Sequence, residues 1–393
     1  TPLMRDWRGG EVRDADMWRL LENPFTENAV TDWRFFGRDE TISSILGWVH
    51  GQTFRSQFLL VHGQRRVGKS SLIQRLAQET LIESPNRPVV PVMVNFLAAS
   101  LDQPRTVVRL LAQRIFNAID LPVPRLEPDD DPFVWLDHCL LEAERHLGGR
   151  RLLIIADEFD ADYERFIAQR RQSPTLQRLW AVINSHPNIR WILVVQSVYL
   201  ADSRLQLALP ELPIDVPQIA VEYLPPPVAR QLIVDLSTRH GVRFASDPTH
   251  KRSLPDRIIS LTAGNPYLIH VLCRNLLDRV DRDQRNRIEL RDLERTIGEL
   301  LSRPALFNHL FQTLPDDQQA IVRYIAETAL IGEQRPASAI RDELSIQLGL
   351  PSEEVAARIT LLEQIGVLEV VGESTRRAIG IPIQLLHQWL QSQ

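Results

Sequence analysis

The residues Gly63 to Ser70 read GQRRVGKS, the spacing G-x-x-x-x-G-K-S/T. Two glycines let successive main-chain N–H groups turn inward and form a concavity for an anion, and Lys69 adds a mobile point charge suited to β and γ phosphates. Ser70 offers a hydroxyl to Mg²⁺. The phosphate-binding set is therefore Gly63, Gln64, Arg65, Arg66, Val67, Gly68, Lys69, Ser70 and Ser71. Only two of the 45 basic residues are lysines, Lys69 and Lys251, and one of them sits in this loop. A phosphate loop needs a carboxylate-bearing strand opposite it, and RLLIIADEFD supplies one. There Asp157 would orient the hydrated metal, and Glu158 would position and polarise the attacking water. The run IRWILVVQS ends in Gln196 and Ser197, polar side chains that can reach a γ-phosphate or the water and report its presence. The candidate catalytic residues are Glu158, Lys69, Gln196 and Ser197, with Ser70 and Asp157 as metal ligands.

Strands and helices must bring these groups together. FLLVH ahead of the loop is a short buried strand, and SSLIQRLAQE behind it puts Leu72, Ile73 and Leu76 on one helical face, so the helix N-terminus points at the anion. Leu152 to Ala156 form an apolar run of the kind found in a central parallel strand. PVVPVMVNF is a further strand, followed by a helix over Pro104 to Ile119. Alternating strands and helices imply an α/β fold, a doubly wound parallel sheet carrying its site at the strand ends. The domain boundaries read from the chain are a leader over 1–32, a P-loop α/β domain over 33–218, a helical domain over 219–303 and a C-terminal domain over 304–393.

Composition sets the outer limits. A chain of 393 residues is too long for one compact core and divides into two or three. Hydrophobic and charged fractions of 44% and 24% are those of an ordinary soluble protein. No apolar stretch is long enough to cross a bilayer and no secretory signal core is present, so a cytoplasmic protein without membrane contact is expected. Cys139 and Cys273 lie far apart in helix-like apolar contexts and read as buried thiols in a reducing compartment. Trp33, Trp135, Trp180, Trp191 and Trp389 fall in apolar patterns that predict core packing. EPDDDP, residues 127–132, reads as a solvated loop, and Arg170 and Arg171 as an exposed face. The chain opens on Thr1 rather than methionine, which suggests a processed or truncated product.

The C-terminal third predicts a first helical segment in RPALFNHLFQTLPDDQQAIVRYIAE, a second helix at about 337–348 and a third at about 352–365, then the strand GVLEVVGE, a turn, and RRAIGIPIQLLHQWL. Three helices and a two-stranded wing make a winged helix. Many winged helices read DNA, but the third helix carries Glu353, Glu354 and Glu363 against one arginine, Arg358. Residues 305–393 hold six arginines and eleven acids, the whole net charge of -5. Phosphates would be repelled from such a surface.

The motifs together resemble the STAND class of AAA+-related P-loop ATPases, signal-transduction switches. NPF at Asn23 to Phe25, followed by FFGRDE, is similar to the family segment that runs ahead of the P-loop and lines the adenine pocket. Gly264, Asn265 and Pro266 in LTAGNPYLIH resemble the family's GxP motif in the helical lid, whose proline packs on the base. The resemblance spans residues 23–390 and adds Phe36, Gly37, Arg38 and Pro266 to the nucleotide-binding set. It implies ATP/ADP and Mg²⁺ as cofactors, a lid and winged helix that a bound ADP holds closed, slow hydrolysis, homo-oligomers in the ATP state, and an effector or sensor partner lying elsewhere. Members often end the sensor strand with an arginine, where this chain has Gln196 and Ser197, with Arg204 further on. Arg66 would face a neighbouring subunit or solvent. Two alternatives stand beside this reading: an initiator- or transposition-regulator-like ATPase acting on DNA, and a scaffold locked by nucleotide without turnover.

Overall fold

A computed structural model describes residues 22–51, 56–82, 89–98, 103–160, 174–197, 216–246, 252–372 and 377–393. Arg170, Arg171, Arg204, Lys251 and Arg376, together with the first 21 positions of the leader, lie outside the described residues. Five strands, Phe58–Gly63 (β1), Val89–Asn95 (β2), Arg151–Asp157 (β3), Arg190–Gln196 (β4) and Gln218–Val221 (β5), form one sheet in the order β2-β3-β4-β1-β5. All of its pairings are parallel. Side chains alternate strictly across it. Leu153 and Ile155 of β3 pack with Asp39–Val49 (α1) and Lys69–Ile82 (α2) on one face. Leu152, Ile154 and Ala156 pack on the other against Pro104–Ala118 (α3), Pro132–His146 (α4) and Pro174–Asn184 (α5). Both faces are covered, which is why these strands read as continuous apolar runs. The sheet extends past the boundary read at 218, because β5 pairs with β1 through Val221. With the pattern QIAV only one of its four residues is buried, too short and exposed a run to stand out as a strand.

Beyond the sheet come the lid helices Pro226–Arg239 (α6), Leu254–Thr262 (α7), Pro266–Arg282 (α8) and Leu290–Leu301 (α9). Two two-residue strands, Arg243–Phe244 (β6) and Arg287–Ile288 (β7), pair in parallel between them. The last module holds Pro304–Phe311 (α10), Asp316–Thr328 (α11), Ala337–Leu348 (α12), Ser352–Gln364 (α13) and Gln384–Gln391 (α14). Its strands Arg335–Pro336 (β8), Glu369–Val371 (β9) and Ala378–Gly380 (β10) form an antiparallel sheet in the order β8-β10-β9. This is a winged-helix arrangement whose wing gains a third, two-residue strand that the sequence pattern does not signal. Phe307 stacks on Trp389 at 5.3 Å between ring centroids, and one apolar cluster runs without a break from α6 to α14. Phe25 of the leader, 1% exposed, is buried in that same cluster.

Trp135, Trp180, Trp191 and Trp389 are buried as expected, whereas Trp33 is 50% exposed. Its ring is covered instead by the Arg239 guanidinium at 4.9 Å, a cation over an aromatic face. The two cysteines are buried and unpaired, and burial pushes the Cys139 thiol up to about 12. Residues 127–131 are exposed, and Asp131 caps α4 by accepting from Phe133 N and Val134 N. Among the described residues, no helix is long and apolar enough to cross a membrane.

The lid turn illustrates why the sequence folds this way. Gly264 has φ +76°, and a Cβ there would sit 2.2 Å from the Leu224 carbonyl oxygen. The close approach is used, because Leu224 N donates to Gly264 O at 2.9 Å, tying the linker after β5 to the lid. Asn265 then caps α8 by accepting from Leu268 N, with Pro266 in the first turn. Gly264→Ala should therefore destabilise the protein by about 2–4 kcal/mol through left-handed strain and a backbone clash. Calorimetric melting checks this, and an unchanged transition would contradict it.

Candidate nucleotide-binding site

The C-terminal ends of β1, β3 and β4 converge beside the N-terminus of α2, where the first N–H groups have no acceptor within the helix. A cavity of about 400 Å³ opens there. From the phosphate loop its lining takes Arg65, Arg66, Gly68, Lys69, Ser70 and Ser71, and from the strand ends Glu158 and Gln196. Thr26 to Val30 of the leader cross one side, and Pro266, Tyr267 and His270 of α8 close another. Pro266 stands against the loop, its Cγ 3.9 Å from where a Cβ on Gly68 would be.

Lys69 Nζ donates to Gly63 O and Gln64 O, both at 2.9 Å, so the ammonium caps the loop's own carbonyls. Burial lowers its pKa, and Asp160, Glu158 and Asp157 oppose that shift. Ser70 Oγ donates to Asp157 Oδ2 at 3.1 Å. Asp157 is 7% exposed, and burial raises its pKa despite the Ser70 and Glu158 N–H bonds. A hydroxyl beside a buried acid with only neutral hydrogen-bond partners is a donor set that fits a hydrated Mg²⁺. Bound there, the metal would neutralise charge between phosphates. Glu158 takes φ +51°, a sharp turn that presents its carboxylate to the cavity just past β3.

The strand end of β4 separates its two polar residues. Gln196 lines the cavity, while Ser197 is buried and its Oγ lies 3.1 Å from His62 Nδ1. Burial lowers the His62 pKa, and the nearby Lys69 lowers it further. Gly63, Gln64, Val67 and Asp157 belong to the loop and strands but do not line the cavity surface. Gln64 instead faces the winged helix. Tyr223, just after β5, donates its hydroxyl to Gln64 Oε1 and lies 3.4 Å from Gly366 O. Burial raises the Tyr223 pKa, so the phenol stays neutral and can donate.

Phe36, Gly37 and Arg38 do not line the cavity either. Phe36 packs on the lid core, a Cβ on Gly37 would meet Val228 at 2.8 Å, and Arg38 donates to Glu222 O and, at 3.5 Å, Val67 O. They pin the sheet to the lid from behind the phosphate loop. The side of the cavity crossed by the leader is built by residues that carry no obvious chemistry. Thr26 N donates to His270 Nδ1 at 3.1 Å, and Val30 N donates to Ser71 Oγ at 3.1 Å. Burial takes the His270 pKa down to about 4, which keeps that acceptor nitrogen free of a proton. Arg66, at φ +63°, places its guanidinium 4.2 Å from the Tyr267 ring centroid, so it turns toward the lid of its own chain. Tyr267, His270, Tyr223 and Asp160 escape a reading by motif, although Tyr267 directly follows the GNP turn and Asp160 closes DEFD.

The geometry agrees with what comparison finds. The family model described as Novel STAND NTPase 1 matches residues 23–376. A Walker-type ATPase of Pyrococcus abyssi superposes with a TM-score of 0.60 at 18% identity, over 94% of this chain and 99% of that one. The ORC2 protein of Aeropyrum pernix, in ADPNP–ADP complexes, superposes with a TM-score of 0.59 at 14% identity, over 94% of this chain and 98% of that one. Its ADP form gives 0.53 at 14% identity over the same shares. At such identities the likeness is one of fold. No curated protein sequence matches. A phosphate loop, an acid-ended β3, a GNP turn against the loop and a family match over most of the chain together place this protein in the Novel STAND NTPase 1 family of P-loop NTPases.

Proposed function

We propose that the chain is a nucleotide-dependent switch that binds ATP and ADP with Mg²⁺ and hydrolyses ATP slowly. The observation that carries the reading is the convergence of separate parts of the chain on one phosphate loop. The leader reaches Ser71, the lid sets Pro266 and Tyr267 against Gly68 and Arg66, and the winged helix reaches Gln64 through Tyr223. A ligand with equal affinity for two states shifts neither, so the response has to come from contacts that only a γ-phosphate makes. Gln196 and Glu158 stand where those contacts would form. Lys69, now held by Gly63 O and Gln64 O, would turn to the phosphates and release both carbonyls. Gln64 is also the acceptor for Tyr223, so the change passes to Gly366 in the winged helix. Because lid and winged helix share one core, they would move as one body. Pro266 would pack on or near the base, Ser70 and Asp157 would hold the metal, and Glu158 would orient the water.

Movement of that body would uncover surface through which copies associate in the ATP state, in cytoplasmic signalling or defence, with an effector or sensor module or partner delivering the output. The DNA-acting alternative is disfavoured by charge. Arg358 on α13 is paired with Asp317 and Glu354, and Arg377 lies 3.6 Å from Glu363. Duplex binding that weakens steeply with salt would restore it.

Removing the loop ammonium with Lys69→Ala should cost ATP and ADP about 100-fold in affinity, or about 2.7 kcal/mol, by isothermal calorimetry. Equal affinities for variant and parent would refute the site. Glu158→Gln should keep ATP binding and lower the hydrolysis rate by about 10²–10⁴-fold. A rate indistinguishable from the parent's would favour the scaffold without turnover. Tyr223→Phe keeps the ring and removes the hydroxyl, so nucleotide affinity should stay within about twofold while hydrogen exchange over 352–372 loses its dependence on which nucleotide is bound. Persisting dependence would dismiss the relay through Gln64.

A further inference from the structure

The end of β4 presents a pairing problem. Its ladder with β3 stops at Ala156 opposite Leu193, while β1 runs beside it to Gly63 opposite Gln196. Trp191 N donates to Gln57 O on the β1 side, so N–H groups at alternate positions, Gln196 included, face β3. There β3 has already turned away at Glu158, φ +51°. The turn supplies the missing rungs. Phe159 N donates to Val194 O at 3.2 Å, and Gln196 N donates to Asp160 Oδ2 at 2.7 Å. Asp160 is 1% exposed, and Phe159 is wedged edge-on against Phe96 and Trp180 at 5.0 and 5.9 Å, which holds the turn in place. Among the described residues, the other Asp160 oxygen takes no hydrogen bond. Of the neighbouring acids, Asp160 also does most to favour the charged form of Lys69.

A neutral side chain could cap the strand, yet the fold has buried a carboxylate here, one that favours the charge of the loop lysine and is bonded to the main chain of the residue that faces the γ-phosphate position. A charge-assisted bond of this kind is shorter and stronger than a neutral one. We propose that Asp160 is the positioning residue for γ-phosphate discrimination, completing the ladder where β3 has left it and so fixing Gln196 against the cavity. This rests on the reading of the cavity as a nucleotide site. Asp160 touches neither phosphate nor water. It determines where Gln196 can place its amide, and small displacements of such a group weaken a contact made only with the triphosphate.

The test compares binding of ADP and of a non-hydrolysable ATP analogue, each with Mg²⁺, to the full chain and to Asp160→Ala and Asp160→Asn, by calorimetry alongside thermal melting. Asp160→Ala should lose about tenfold in affinity for the analogue while its ADP affinity stays within about threefold. Asp160→Asn keeps an acceptor for Gln196 N but not the charge, and should lose about threefold for the analogue alone, so the idea stays testable if the alanine variant does not fold. Gln196→Ala should reproduce the alanine result, and adding Asp160→Ala to it should bring no further loss of discrimination. Equal losses for both nucleotides, or a lower melting temperature with an unchanged ratio of affinities, would overturn the proposal and leave Asp160 a purely structural acid. A parent chain that binds both nucleotides without distinguishing them would sink this proposal, and with it the γ-phosphate basis of the switch, while leaving the cavity a nucleotide site. One that binds neither would remove the nucleotide reading with it.

Discussion

The molecule is organised around one ammonium group that the fold has partly withdrawn from water. Lys69 is held by carbonyls of its own loop, with Asp157, Glu158 and Asp160 favouring its charge and Arg65 opposing it. Charges taken out of water are costly unless they are paired. Burial correspondingly raises the Asp157 and Asp160 pKa values, Asp160 to about 6, while it lowers that of Lys69. These opposed shifts belong to an arrangement that would be relieved by a polyanion on the loop side and a divalent cation on the acid side. Backbone strain accompanies it, with positive φ at Arg66 and Glu158. Strained backbone persists where the surrounding packing over-determines it, here at the two turns that frame the cavity.

Coupling from this centre to the rest of the chain follows from how the cores divide. Two apolar clusters belong to the two faces of the sheet, and a third belongs jointly to lid, winged helix and the buried leader residue Phe25. Motion is easiest between cores, across polar contacts. Among the polar contacts that cross here are Tyr223 with Gln64 and Gly366, Arg66 over Tyr267, and Thr26 and Val30 to His270 and Ser71. Each ends on the phosphate loop, on the helix behind it, or on the GNP turn and the helix it opens. Linear-motif comparison names Pro266 for this region. In three dimensions the proline is one member of a seam whose other members carry the hydrogen bonds.

Much of the architecture is legible in the chain because its signals are local. A parallel strand buried on both faces has to be apolar throughout, so β1, β3 and β4 announce themselves, and the glycines of the phosphate loop mark where the helix behind it begins. Capping chemistry is similarly direct, as Asn265 and Pro266 at the start of α8 demonstrate. The edge strand β5 and the two-residue β8 are illegible because pairing with a neighbour makes them strands, and a partner is not visible in sequence. Trp33 fails for a related reason. Its apolar neighbours suggest a core, but an arginine from α6 covers it at the surface.

The sequence by itself determined the phosphate-loop geometry, since Gly63, Gly68, Lys69 and Ser70 act through main-chain geometry and spacing inside one turn. It also determined that Asp157 and Glu158 stand at the end of a second strand beside that loop. Only the tertiary structure decided that Gln196 looks into the cavity while Ser197 turns to His62, that Phe36 to Arg38 brace the lid rather than line the pocket, and that Asp160 holds the end of β4. The physical reason is range. Loop and cap preferences act over three or four residues, whereas the direction of a strand-end side chain depends on which neighbouring strand has turned away and what fills the gap it leaves.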